Sequence, residues 1–246
     1  MITNYFSERR SCRNFKNKKI NHKILEEIIE KAMKAPTCGN MQLYSIVITE
    51  QEDNRKKLAE FHYNQPASVT APIILTVCAD FNRFTEWCKI NNADESFNNF
   101  HSFITALIDA VIFTQQIVTI AESDGFGTCY LGTVTYNAKA ISDLLELPEL
   151  VIPVTSIAIG YPEEEGEKTL RLEKEAVIHF EKYRKKNADI IKEIYKKIED
   201  IPENEKFIRE NNKQNLAQVF SEIRYPKDLN ESISKTFYDL IKEKGF

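Results

Sequence analysis

The amino-acid sequence predicts one domain of the α+β class, and three observations support that. The chain has 246 residues, 42% of them hydrophobic, enough to bury one sizeable core, with no linker-like stretch dividing two cores. Short runs of β-branched and apolar residues at 44–49, 73–79, 128–131 and 151–159 read as strands. Around them lie segments whose apolar residues recur at helical spacing.

Taken in order, residues 21–34 open with Asn21 as a cap. They carry Ile24, Leu25, Ile28, Ile29, Ala32 and Met33 on one helical face and close before Pro36. The strand at 44–49 leads into a charged helix over 52–61 with Leu58 and Phe61 facing inward, then a loop containing His62, Asn64, Gln65 and Pro66. Residues 73–79 are almost continuously apolar, the pattern of a strand covered on both faces. Residues 102–123 are apolar around most of a helix, which places that helix at the centre of the domain or in a subunit interface. A strand at 128–131 broken by Gly132, a helix over 138–145 and a second buried strand at 151–159 complete the core elements. From 184 to 246 the chain is a helical extension with long charged helices and narrow apolar stripes. Such stripes pack on something else, and a partner subunit is a candidate.

A net charge of −4 argues against a general nucleic-acid binder, which needs a broad basic field. No apolar run is expected to span a bilayer, and the first residues lack a signal-peptide pattern, so a soluble, cytoplasmic protein is expected. The five cysteines and four histidines are scattered without CxxC or HExxH spacing, which suggests neither a disulfide framework nor a metal site. Cys38 is expected to be a small buried filler rather than a reactive thiol.

Candidate chemistry begins at residues 9–15. Arg9, Arg10 and Arg13 with Ser11 form an anion cradle, because guanidinium forks match phosphate oxygens and a hydroxyl completes the shell. The alternative is a solvated charge cluster. There is no Walker loop, and residues 125–132 miss the dinucleotide fingerprint because the third glycine is displaced. What remains are loops rich in amides, hydroxyls and small residues: 35–42, 64–66, 130–133 and 168–171. Asn and Gln present donors and acceptors together, as a flat heterocycle requires. Joined to a phosphate clamp, such loops suggest a mononucleotide-like cofactor. The aromatic residues of 84–101 (Trp87, Phe97, Phe100) are either a pocket wall or packing.

The order and spacing of these segments, with Ala71-Pro72, residues 78–83, Gly127 through Gly132, Leu144 through Pro153 with Gly160-Tyr161-Pro162, and Arg171-Leu172 followed by His179 and Tyr183, resemble the flavin-dependent nitroreductase family, in its branch of oxygen-insensitive NAD(P)H nitroreductases and NADPH-flavin oxidoreductases. The resemblance spans nearly the whole chain. It implies a mainly antiparallel sheet wrapped by helices in an intertwined homodimer, with the C-terminal extension embracing the partner. It implies FMN as cofactor, NAD(P)H as reductant, and nitroaromatic, quinone or flavin acceptors reduced by a ping-pong route in which the flavin is the reactive group.

Carried over by residue, Arg9, Arg10, Ser11 and Arg13 hold the FMN phosphate and ribityl chain. Thr37, Asn40, Gln42 and Gln65 contact the ring or ribityl oxygens, and Tyr130, Leu131, Gly132 and Thr133 lie along one face. Thr169 and Arg171 return to the cofactor. The branch often carries Lys-Pro-Arg where this chain has Thr169-Leu170-Arg171, so a threonine stands at the lysine position with Lys168 one residue away. Arg209 and Lys213 are candidates for the NADPH 2′-phosphate. The alternative function is an FMN-binding or redox-sensing protein without turnover.

Overall fold

Ile73–Asp80 is buried along its whole length, so it must be the interior strand of a covered sheet. A computed structural model describes residues 2–246, with side chains from Tyr5 onward. It places four strands, β1 (Tyr44–Thr49), β2 (Ile73–Asp80), β3 (Gly127–Leu131) and β4 (Val151–Gly160), in one antiparallel sheet of order β1-β2-β4-β3. The expected α+β class and antiparallel sheet are observed.

Alternation sends Ile73, Leu75, Val77 and Ala79 of β2 to one face and Ile74 and Cys78 to the other. In β4 the parity changes midway. Ile152 and Val154 share the first face, but so do Ile157 and Ile159. The register explains it: Val77 pairs with Thr155 but Cys78 with Pro153, so Val154 is an extra residue, a β-bulge.

The remaining elements of the first compact unit are α1 (Ile2–Glu8), α2 (His22–Ala32), α3 (Glu52–Phe61), α4 (Pro66–Thr70), α5 (Asn82–Ile90), α6 (Phe100–Ser123) and α7 (Ala138–Leu144). α2 starts where Asn21 accepts a hydrogen bond from the Lys23 N–H at 2.9 Å, and it buries Leu25, Ile28 and Ala32. α6 buries Ala106, Ala110, Phe113, Ile117 and Ala121 in the same cluster as β2. Leu58, Ala67 and Ile141, from α3, α4 and α7, pack with Ile74 and Ala158 on the other face.

Helices α1, α4 and α5 were not anticipated. α5 resolves the open question at 84–101 in part: Phe97 stacks on Phe81 at 4.9 Å and Phe84 meets both edge-on, which is packing, whereas Trp87 and Phe100 are exposed. Contrary to expectation, α6 is long and apolar enough to cross a bilayer by length and composition, but it serves as the core helix of this unit.

Two compact units are distinguished, Met1–Lys168 with Lys235–Phe246, and Thr169–Ser234. The second contains α8 (Lys174–Val177), α9 (Ala188–Glu199), α10 (Pro202–Glu210), α11 (Leu216–Gln218) running into a π-turn at Val219–Arg224, and the start of α12 (Lys227–Glu243). Ile190, Ile191 and Tyr195 of α9 are exposed, whereas Leu240 and Ile241 near the end of α12 join the core of the first unit.

Candidate functional site

The arginine segment leaves α1 and lies against the sheet edge formed by β3 and the end of β4. The Cys12 N–H donates to the Thr128 carbonyl and the Lys16 N–H to the Tyr161 carbonyl, both at 2.9 Å. Phe15 bridges Pro162, and the Glu163 N–H donates to the Asn14 carbonyl at 3.0 Å. Two glycines let it lie flush. A Cβ on Gly127 would stand 2.6 Å from Cys12 Cβ and Sγ, and one on Gly166 would stand 2.3 Å from the Ser11 carbonyl oxygen.

The three guanidinium groups differ in their partners. Arg9 Nε pairs with Glu122 Oε2 at 3.2 Å, and the same buried carboxylate accepts from Tyr5 Oη and Thr128 Oγ1. Burial and the Glu122 hydrogen bond push the Tyr5 phenol up to about 12. Arg10 Nη1 meets Glu165 Oε2 at 2.5 Å and the Gly166 carbonyl at 3.3 Å. Because the Glu165 side chain is 86% exposed, that pair contributes at most about 1 kcal/mol and exchanges readily for a stronger anion. The Arg13 guanidinium has no hydrogen-bond or ion-pair partner among the described residues, and Arg13 is exposed. Ser11 is half-buried beside it.

A second group of predicted residues adjoins Arg13. Thr70 at the end of α4 donates to the Pro66 carbonyl at 2.8 Å, with the Arg13 carbonyl at 3.4 Å, and accepts from the Phe15 N–H at 3.3 Å, which ties α4 to the arginine segment. Gln65 caps the start of α4 with its carbonyl, which accepts from the Ser68 N–H at 2.8 Å, and its side chain is exposed. Leu131 packs with Ala67 in the same cluster. After β3 the chain makes a 3₁₀ turn over Gly132–Tyr136. A Cβ on Gly132 would have nothing within 4 Å, so this turn presents open backbone.

Thr133 Oγ1 is bonded to His62 Nδ1 at 2.9 Å, and burial lowers the His62 imidazole to about 4. Tyr130 Oη reaches Gln115 Oε1 at 3.3 Å, and desolvation, opposed by Arg9, raises its phenol to about 12. Arg9, Arg10, Ser11, Arg13, Gln65 and residues 130–133 thus gather around the β3 edge.

Thr37, Asn40 and Gln42 lie elsewhere, on the loop entering β1. There Gly39, Asn40 and Gln42 have φ of 56°, 57° and 55°, left-handed values that cost a side-chain-bearing residue roughly 1–2 kcal/mol, less for Asn. Gln42 Nε2 donates to the Asn40 carbonyl at 3.1 Å, and the Gln42 carbonyl accepts from Arg83 Nη2. Cys38 is exposed, not the buried filler expected, because the turn of Cys38–Asn40 stands away from the core.

The loop is held by Asp109 of α6, which is 1% exposed. Its Oδ1 accepts from the Cys38 N–H at 2.8 Å and its Oδ2 from the Leu43 N–H at 3.2 Å. Sequence reasoning missed Asp109 and Glu122. For Asp109 a signal existed: no other Asp, Glu, Lys or Arg occurs in residues 100–121.

Because β1 and β3 are opposite edges of the sheet, three strand spacings of about 4.8 Å, roughly 14 Å, separate the two edge strands, and the register sets Tyr44 level with Ile152 but Leu131 level with Ser156, so the two groups are also offset along the sheet. Thr169 and Arg171 open the second unit, where Arg171 Nη1 donates to the Thr169 and Leu170 carbonyls at 3.1 and 3.3 Å. In that unit Lys213 pairs with Glu222 at 2.7 Å. Lys168 meets Glu8 at 2.5 Å in the first unit.

Residues 6–161 match the model of the nitroreductase family. The chain is 34% identical over 183 residues to an FMN reductase [NAD(P)H] of Bacillus subtilis, covering 72% of each. It is 31% identical over 183 residues to a Cr(VI) reductase of a Pseudomonas species, covering 74% of this chain and 75% of that one. A crystal structure from Bacteroides fragilis superposes with a TM-score of 0.96 at 40% identity over 98% of both chains.

Proposed function

The chain belongs to the nitroreductase family, and on that premise we propose that it is an FMN-dependent oxidoreductase that takes hydride from NAD(P)H and passes it to nitroaromatic, quinone or flavin acceptors. One observation carries the reading onto these residues. The Arg13 guanidinium, without a hydrogen-bond or ion-pair partner among the described residues, acts on Cys129 of β3, and the same strand runs on into a turn whose Gly132 faces open space, so one strand carries a cation and a bare backbone surface, as a phosphate with an attached flat ring requires. The curated relatives named as an FMN reductase and a Cr(VI) reductase support the same chemistry.

FMN, when bound, supplies the hydride-accepting and hydride-donating centre. The chain's own residues bind and orient. Arg13 with Ser11 grips the phosphate, and Arg10 joins by exchanging Glu165 for it. Arg9, anchored by Glu122, supplies positive field, and Gln115 Oε1 accepts from Tyr130 Oη at 3.3 Å. The neutral Tyr130 phenol and the Leu131–Thr133 turn form a wall that excludes water. Asn40, Gln42, Gln65 and Thr37 offer amides and a hydroxyl to ring edges or ribityl oxygens. For Thr169 and Arg171 the assignment rests on resemblance alone.

The separation of the two groups across the sheet supports a homodimer in which residues 37–42 of one subunit complete the site at the β3 edge of the other. Ile108, Val111 and Ile112 form an exposed apolar stripe on α6 suited to that contact. The exposed Val177, Ile178, Phe180 and Tyr183 are assigned to the embrace of the partner. Five free cysteines fit a reducing, cytoplasmic setting.

The test is anaerobic. Purified protein should carry a flavin spectrum that bleaches with NADPH or NADH and returns when a quinone or nitroaromatic is added. Failure to bleach with either nucleotide would sink the assignment, and bleaching limited to a single turnover would favour the binding-only alternative.

A further inference from the structure

We propose that Asp109 is a positioning residue that clamps the 37–43 loop into the conformation from which Thr37, Asn40 and Gln42 address the flavin ring. The role rests on the function proposed above, but the clamp itself stands on three observations. Asp109 is the one charge in an otherwise apolar stretch of α6 and is almost fully buried, a placement that disfavours a carboxylate unless it is hydrogen-bonded. Its two oxygens accept from backbone N–H groups at both ends of the loop, Cys38 at 2.8 Å and Leu43 at 3.2 Å, and from no side chain among the described residues. Between those anchors the backbone is left-handed at Gly39, Asn40 and Gln42, a sequence of conformations that relaxes unless its ends are fixed.

The chemistry explains why a carboxylate is used. Two inward-pointing N–H groups need two acceptors on one short side chain, and ionised Asp offers acceptors only. An Asn in its place must turn its NH₂ toward one of the N–H groups, leaving that donor unsatisfied. Beside those two amides, the Asp109 charge acts on Tyr44, whose ring stacks on Phe113. The loop is therefore tied to the core helix, so its three polar side chains are presented on a rigid base.

The experiment compares wild type with Asp109→Asn, both stripped of flavin, by hydrogen exchange resolved to peptides. Exchange at residues 38–43 should accelerate at least tenfold in the variant while peptides from β2 and β4 stay unchanged. Unchanged exchange at 38–43, or equal acceleration throughout the first unit, would overturn the clamp.

In titrations, Asp109→Asn should weaken FMN and riboflavin by the same factor, about tenfold, because the loop addresses the ring. Arg13→Ala should weaken FMN alone. Loss of FMN affinity only, with riboflavin unaffected, would refute the assignment of this loop to the ring. If wild type bound neither flavin, the cofactor reading would fail, and the positioning role with it, while the exchange result would still decide the clamp.

Discussion

Adding one methyl group at Gly132 separates the demands of the fold from those of the cofactor. An ideal Cβ at this position has no atom of the chain within 4 Å, and the residue does not occupy the left-handed region. Gly132→Ala should therefore leave the flavin-free protein as stable as wild type, or raise its stability by about 0.4–1 kcal/mol by restricting the unfolded chain. With a flat ring against the turn, the methyl instead enters a packed contact, where overpacking costs about 1–3 kcal/mol. That is roughly a 5- to 150-fold rise in the FMN dissociation constant.

Gly127→Ala is the contrasting case. Its Cβ would stand 2.6 Å from both Cys12 Cβ and Sγ, so the arginine segment must shift and stability should fall by about 1–3 kcal/mol. Urea unfolding of apo-protein and fluorescence titration with FMN measure the two effects. If Gly132→Ala bound FMN as tightly as wild type while its stability behaved as expected, the turn would not face the cofactor.

Two further outcomes follow from the same geometry. Arg13→Ala should change stability by less than about 0.5 kcal/mol but weaken FMN about tenfold or more and flatten the salt dependence of binding. Arg9→Ala, which strips a buried Glu122 of its cation, should cost about 1–3 kcal/mol of stability in urea unfolding. The pH dependence isolates His62. Its imidazole lies at about 4 when folded against an ordinary 6.5, so the unfolded chain binds the extra proton first. Stability is undiminished above pH 6.5 and falls as pH drops toward 4, by about 3 kcal/mol at roughly 1.4 kcal/mol per pH unit. Denaturation midpoints of wild type should show this drop relative to His62→Gln, and parallel curves would contradict it.

Much of the architecture was legible in residue order because the relevant signals are local. Asn21 with a 3.6-residue apolar stripe marks α2, and the almost continuously apolar run at 73–79 marks a strand covered on both faces, since neither depends on what lies far along the chain. Short helices such as α4 and α5 escaped because five to nine residues with mixed polarity carry too little periodicity to separate from loop. The arginine cluster and the amide-rich loops were visible as residue types, and their order carried the family resemblance.

Tertiary structure alone decided how those residues divide. The extra residue at Val154 flips the facing of β4, and strand order sets residues 37–42 and 130–133 on opposite edges. Glu122 neutralises Arg9, whereas Arg13 has no ion-pair partner among the described residues, and Asp109 reaches back across 66 and 71 residues to hold a loop. These are pairings between segments distant in sequence. Strand order, register and helix packing set them, and no local pattern encodes which carboxylate will meet which guanidinium or amide.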